Sequence, residues 1–464
     1  MENTSATLQP QATADTHKAK PAAANKADKH LWGIILLLCL VSVIELYSAS
    51  SREVTDSSMG IMWPIVRHLF MLAGGLGVVW YLSRRHYSDF ALFSIVFSVI
   101  SAALMVYVMF CGNIINGARR SLTIMGIGIF PAEMLKLSAV MMVVLIMSLN
   151  QNPKRVGITG RGMIYCGIVL LVCCALLATQ GLTNTLLLTA ITVSMMIIGG
   201  VRFLHMLYLT LFMAAAGAIF IGYLWVTEPP EEFLRAREEN ARKELAMKQG
   251  VTYEVSKPEP VASGEKKKKI SRLDTWLARL VRHNNDSVEK WELPATGNNR
   301  QEVLSYMAQA HGGVTGVGPG NSREAARLPL AFSDYIYAIV IEEIGLIGGV
   351  FVLLLYLWLL GRAASIGSRC SVTYPALLVM GMAVMIVFQA LVHMGIVTGV
   401  FPVSGQPLPM ISKGGTSILV TCVAFGIMLS VSRTATGRSH KKQELRDELD
   451  SLPEQLRDQN RMQL

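Results

Sequence analysis

Ten apolar runs, separated by polar breaks, organise this chain. They cover residues 31–48, 61–83, 90–111, 131–149, 163–179, 183–200, 203–226, 335–361, 374–399 and 416–432. Each approaches the roughly 20 residues that cross a bilayer as a helix. The pattern predicts an all-α polytopic membrane protein with about ten transmembrane helices and one large extracytoplasmic loop. The first run precedes Ser48-Ala49-Ser50, which resembles a signal-peptide cleavage site. Its apolar core is long for a signal peptide and further spans follow, so it is read as a retained helix.

The predicted organisation is a disordered cytoplasmic segment 1–30, seven spans over 31–226, an extracytoplasmic loop 227–334, three spans over 335–432 and a cytoplasmic tail 433–464. Orientation follows from Lys and Arg in the short loops. Arg84, Arg85, Lys154, Arg155, Arg161, Arg202, Arg362 and Arg369 fall on one side, and Arg52, Arg119, Arg120 and Lys413 on the other. The richer side is cytoplasmic, and it holds both termini. The long loop begins with a charged helical pattern at 231–248 and carries a basic run at Lys266–Lys269. Long loops translocate largely regardless of such charge. Residues 273–282, LDTWLARLVR, repeat apolar positions at helical spacing, which suits either the membrane interface or a core within the loop.

Composition narrows the class. The 464 residues are 52% hydrophobic and 16% charged, and 42 Lys+Arg exceed 32 Asp+Glu by 10. Mean hydropathy is +0.43. Such an excess in a membrane protein speaks of topology and anionic headgroups, and no basic–aromatic motif points to nucleic acid. The seven cysteines sit in apolar runs or near helix ends without metal-ligand spacing, which argues against a disulfide framework and a zinc site.

Unusual residues gather in three extracytoplasmic stretches. The first is Asn116-Gly117-Ala118-Arg119-Arg120 with Pro131-Ala132-Glu133 and Lys136. Glu133 and Lys136 are three apart, hence neighbours on one helical face. The second is a glycine-rich loop from Gly312 through Gly318 and Gly320, whose amides could cradle a phosphate. Asp334 follows at a helix start, where N-capping is the ordinary role. Glu342 and Glu343 lie deeper in the same apolar run, where carboxylates are costly unless partnered. The third is the proline- and glycine-rich stretch 401–417 with Ser412, Lys413, Gly414 and Gly415. Such backbone at membrane depth requires burial in protein.

Taken together, in this order, these stretches resemble the SEDS family of polytopic membrane glycosyltransferases, most closely its division branch. Ser121, Phe130, His393 and Lys413 depart from the family's usual residues. The resemblance implies lipid II as substrate and Asp334 as catalytic base or as ligand of a divalent cation, Mg²⁺ or Mn²⁺, with no organic cofactor. It further implies substrate contacts from Arg119, Arg120, Glu133, Lys136, Gly318, Gly320, Ser412, Lys413, Gly414 and Gly415, supported by Glu342 and Glu343. Implied partners are a class B penicillin-binding transpeptidase and other division-complex membrane proteins at the septum of the bacterial cytoplasmic membrane. A lipid-linked oligosaccharide transporter is the competing reading, although transport would place polar groups at the bilayer midplane rather than on one side.

Overall fold

The computed structural model describes residues 27–49, 62–115, 118–124, 127–152, 157–227, 272–283, 299–328, 331–413 and 415–435. Asn116, Gly117, Gly414, the patterns at 231–248 and 266–269, and most of both terminal segments lie outside these. In chain order the helices are α1 (Lys29–Ala49), α2 (Met62–Ser83), α3 (Asp89–Cys111), α4 (Pro131–Leu149), α5 (Gly160–Ala178), α6 (Leu182–Ile198), α7 (Phe203–Thr227), α8 (Arg272–His283), α9 (Arg300–Gly312), α10 (Ile336–Gly367), α11 (Thr373–Val397) and α12 (Gly415–Thr434). Eight are long and apolar enough to cross a membrane. With α1 at 21 residues and α6 at 17, they match the ten expected runs.

Burial sorts these helices into layers. In α4, α11 and α12, 72%, 72% and 83% of the span is buried, whereas α7 has 11% and α3 has 22%. The first three form the centre, and the others turn apolar side chains outward. Lipid gives apolar helices no reason to cluster, so close backbone approach through small residues must hold them together. A Cβ at Gly75 would stand 2.6 Å from Cys422 Sγ, and one at Gly426 would stand 2.8 Å from Leu82 Cβ, so α2 and α12 pack glycine into side chain. Away from the centre, Arg362 on α10 grips the Asp28 carboxylate, which also caps α1 by accepting from the Leu31 N–H at 3.1 Å. Burial opposes the Asp28 charge, but these bonds hold its pKa below the ordinary carboxylate value.

Two features depart from an unbroken helical reading. Residues expected as a plain loop form an antiparallel sheet of order β1 (Asn113–Ile115), β2 (Ala118–Ile124) and β3 (Ile127–Ile129). The outer strands, β1 and β3, have three residues each and fall below any window in which alternation can be counted, although their Ile-rich composition suits them. The other feature is a break inside α10. Gly345 has φ 80° and ψ −177°, so the helix divides there. The break is filled by the glycine-rich loop. Leu346 donates to Gly313 O at 2.9 Å, while Val317 and Gly318 donate to the carbonyls of Glu342 and Glu343 at 3.0 and 2.9 Å. A Cβ on Gly345 would lie 2.2 Å from Val314 O, so backbone meets backbone with no room between.

Candidate active site at the mouth of the bundle

A cavity of about 400 Å³ lies where the three stretches converge. Its walls come from β2, the starts of α4 and α6, the segment before α10, the loop 402–407, and α8. Strand alternation decides between the paired arginines: Arg119 is exposed, whereas Arg120 is half-buried and lines the cavity. Helices α4, α6 and α12 each direct an N-terminal turn toward this space, through Ala132, Asn184 and Ser417. The first-turn N–H groups and the aligned peptide dipoles there favour an anion.

Asp334 lines the cavity and does not cap a helix. The N-cap of α10 is Tyr335, with no side-chain cap bond. Asp334 Oδ1 accepts from Ser333 Oγ at 2.9 Å. Gly405 backs the other oxygen, since a Cβ there would lie 3.0 Å from Oδ2. Burial raises the Asp334 pKa above its ordinary value, while the Ser333 hydroxyl and the charges of Arg120 and Arg279 act to lower it. The net direction is upward.

Beneath the floor runs a polar network. Lys136 Nζ lies 2.7 Å from Glu133 Oε1 and donates to Gln406 Oε1 at 3.4 Å. Gln389 donates to Glu133 Oε2 at 3.1 Å, and Gln406 donates to Asn184 Oδ1 at 2.8 Å. His393 Nδ1 lies 2.6 Å from the Gln406 carbonyl oxygen. Lys136 is only 1% exposed and does not line the cavity, although its partner Glu133 does. It therefore braces the floor, where the sequence suggested a substrate contact.

Other expected contacts are corrected in the same way. The Gly318 amide is taken by Glu343 O, so it cannot cradle a phosphate. The loop does hold anions, but they are the chain's own. Glu342 accepts from the Arg323 and Glu324 amides at 2.9 and 3.3 Å and from the Ser322 hydroxyl, while Glu343 accepts from the amides of Gly320 and Ser322. Ser412 is buried, donating to Ser333 O and accepting from Leu408 N, each at 2.7 Å. It fixes the backbone beside Asp334 and leaves the ligand to others. Lys413 lines the cavity with its ammonium 4.9 Å from the centre of the Phe332 ring. Gly415 opens α12.

The helical pattern expected over 273–282 is α8, but its place in the site was not anticipated. Trp276, Arg279 and Leu280 line the cavity, a role that neither the interface reading nor the loop-core reading of 273–282 had assigned. The signal was an arginine at helical spacing within an apolar face. The carboxylates of Asp334 and Glu133 line the cavity together with Arg120 and Arg279, and no group of three His, Cys, Asp or Glu able to hold a metal occurs among the described residues.

The comparisons with known proteins agree with this architecture. The cell cycle protein family FtsW/RodA/SpoVE matches residues 28–238 and 273–437. Stage V sporulation protein E of Bacillus subtilis is 27% identical over 404 residues, covering 86% of this chain and 95% of that protein. A probable peptidoglycan glycosyltransferase FtsW of Coxiella burnetii is 24% identical over 411 residues, covering 86% and 95%. Among solved structures, the Thermus thermophilus rod shape determining protein RodA superposes with a TM-score of 0.55 at 18% identity, over 88% of this chain and 97% of that one. A chain from a peptidoglycan synthase complex that coordinates polymerization and crosslinking superposes with a TM-score of 0.60 at 18% identity, over 89% and 99%. With its family match spanning most of the sequence on both sides of residues 239–272, the chain belongs to the FtsW/RodA/SpoVE family, the SEDS proteins.

Proposed function

We propose that this protein is a peptidoglycan glycosyltransferase that polymerises lipid II into glycan strands during septal wall synthesis. The observation that carries the reading is Asp334, a carboxylate released from helix capping and held in a cavity beside Arg120 and Arg279. An acceptor sugar hydroxyl attacks the donor's anomeric carbon, and its proton passes to the Asp334 carboxylate. The new C–O bond forms as the bond to undecaprenyl pyrophosphate breaks. Arg120, Arg279, Lys413 and the helix N-termini surround the space with positive potential for the departing pyrophosphate. The cavity lies at one end of the bundle, which suits chemistry at the membrane surface better than passage through it.

The relatives named as peptidoglycan glycosyltransferases support this activity, and the synthase complex supports a crosslinking partner of the penicillin-binding class. The Lys/Arg asymmetry supports cytoplasmic termini and an outward cavity. The decisive experiment supplies lipid II to the purified chain with its co-purifying transpeptidase and follows glycan length on a gel. Long polymer is expected; none from a folded, partner-bound preparation would refute the reading. Orientation is checked by labelling Gly264→Cys and Gly437→Cys in intact cells with an impermeant thiol reagent, where only the first should react.

A further inference from the structure

The face opposite the Asp334 cavity holds a second, smaller one. Helix α4 starts at the site, so its connection to α5 lies at the far end. That connection doubles back, with Gln151 bridging Ile158 and the Asn152 N–H donating to Gly157 O at 2.9 Å. Gly157 has φ +120°, and a Cβ there would stand 2.7 Å from Gly200 O. The α4–α5 and α6–α7 turns therefore dock backbone to backbone. Between them is a cavity of about 170 Å³ bounded by Asn152, Thr159, Gly160, Arg202 and His205.

Charge and surroundings point to an occupant. Among the described residues, neither Arg202 nor His205 makes an ion pair or side-chain hydrogen bond. Residues 134–227 contain no Asp or Glu at all, while Lys154, Arg155, Arg161 and Arg202 fall in the two connections and the start of α5. Arg202 thus has no carboxylate partner from the stretch that forms α4 to α7, apart from Glu133 at the opposite end of α4. Helix α5 begins at Gly160 on the cavity wall, and Thr159 Oγ1 satisfies only the Gly162 N–H of its first turn. On α7, Phe203, Leu204 and Tyr208 flank Arg202 and His205 and are 73%, 61% and 67% exposed. An apolar surface that could carry acyl chains therefore adjoins a polar cavity sized for a headgroup.

We propose that this cavity binds a phosphate group, carried by the headgroup of an anionic phospholipid in the adjacent leaflet, with its acyl chains along the exposed face of α7. The proposal rests on Arg202, His205 and the two docked turns, and is independent of the chemistry at Asp334. The test uses the full chain purified in nanodiscs of mixed phosphatidylglycerol and phosphatidylethanolamine, with lipids retained after mild delipidation measured by native mass spectrometry. Wild type should keep phosphatidylglycerol selectively. Arg202→Gln should keep roughly fivefold less, the effect of about one surface cation near anionic lipid. His205→Gln should also lower retention, whereas Arg161→Gln, outside the cavity on the same face, should not. Unchanged retention in Arg202→Gln would overturn the site, and an equal loss in Arg161→Gln would reduce it to the general charge of the face. Inorganic phosphate displacing the retained lipid supports the shared chemistry; saturable phosphate binding without any lipid preference would refute the lipid as its source. Unaltered thermal unfolding of the variants shows that the fold is intact.

Discussion

Asp334 and the pair Glu342–Glu343 belong to one stretch of chain and reach opposite fates. Glu342 is fully buried, and its oxygens accept from two amides and a hydroxyl of the glycine-rich loop. Asp334 has one hydroxyl donor and otherwise faces a cavity with cations across it. A carboxylate saturated by its own backbone is architecture, whereas one left facing open space beside guanidinium groups is available for chemistry. The presence of a carboxylate is therefore a poor guide to function here; what matters is how much of each one the fold has already consumed.

The sharpest way to break this contrast is Asp334→Asn. Loss of a general base should cost ~10²–10⁴-fold in polymerisation rate, read from lipid II turnover. Stability should not fall. Because burial raises the Asp334 pKa in the folded state, its contribution is fully present below the unfolded value and is lost as pH rises through the folded one. At neutral pH the charged group is a cost, so the neutral Asn variant should melt at the same temperature or higher. A large drop in melting temperature with little loss of rate would make Asp334 architectural after all.

Glu342→Ala should behave oppositely. It strands the amides of Arg323 and Glu324 in a buried site, and removing one partner of a buried charged cluster costs about 3–5 kcal/mol. Thermal unfolding in detergent should show the loss, with activity per folded molecule largely kept. Gly345→Ala attacks the same junction from the backbone side. Its φ of 80° is strained for alanine, at about 1–3 kcal/mol, and the new Cβ would collide with Val314 O. A melting temperature equal to wild type would show that the loop is not seated in the break.

The smallest expected effect is a shift in pH dependence. Arg279 lowers the Asp334 pKa, so Arg279→Gln should let it rise further. The acidic limb of the rate profile should move to higher pH, beyond any fall in rate from a lost pyrophosphate contact. A profile displaced downward in rate but not along the pH axis would separate Arg279 from the base.

Much of the site was legible because its parts are marked locally. Pro131 does begin α4, and Glu133 and Lys136 meet across one helical turn as their spacing required. Asp334 could be placed at the mouth from the apolar run that follows it. The glycine-rich loop was legible as special backbone but not as to purpose, because its target, the break at Gly345, lies about thirty residues away and looks like ordinary helix in sequence. Arg279 was hidden for a similar reason, since nothing local says which surface an amphipathic helix will cover.

By itself the sequence determined which segments leave water and where they turn. A membrane helix satisfies its backbone hydrogen bonds internally, so its existence and length follow from a contiguous run of apolar residues. Only the tertiary structure decided which polar groups remain available. Arg120 rather than Arg119 faces the cavity, Lys136 braces its floor, and Glu342 is consumed by a loop while Asp334 is not. Each of those outcomes depends on a donor, acceptor or charge brought from another element, and pairing across space is information that no local stretch of sequence carries.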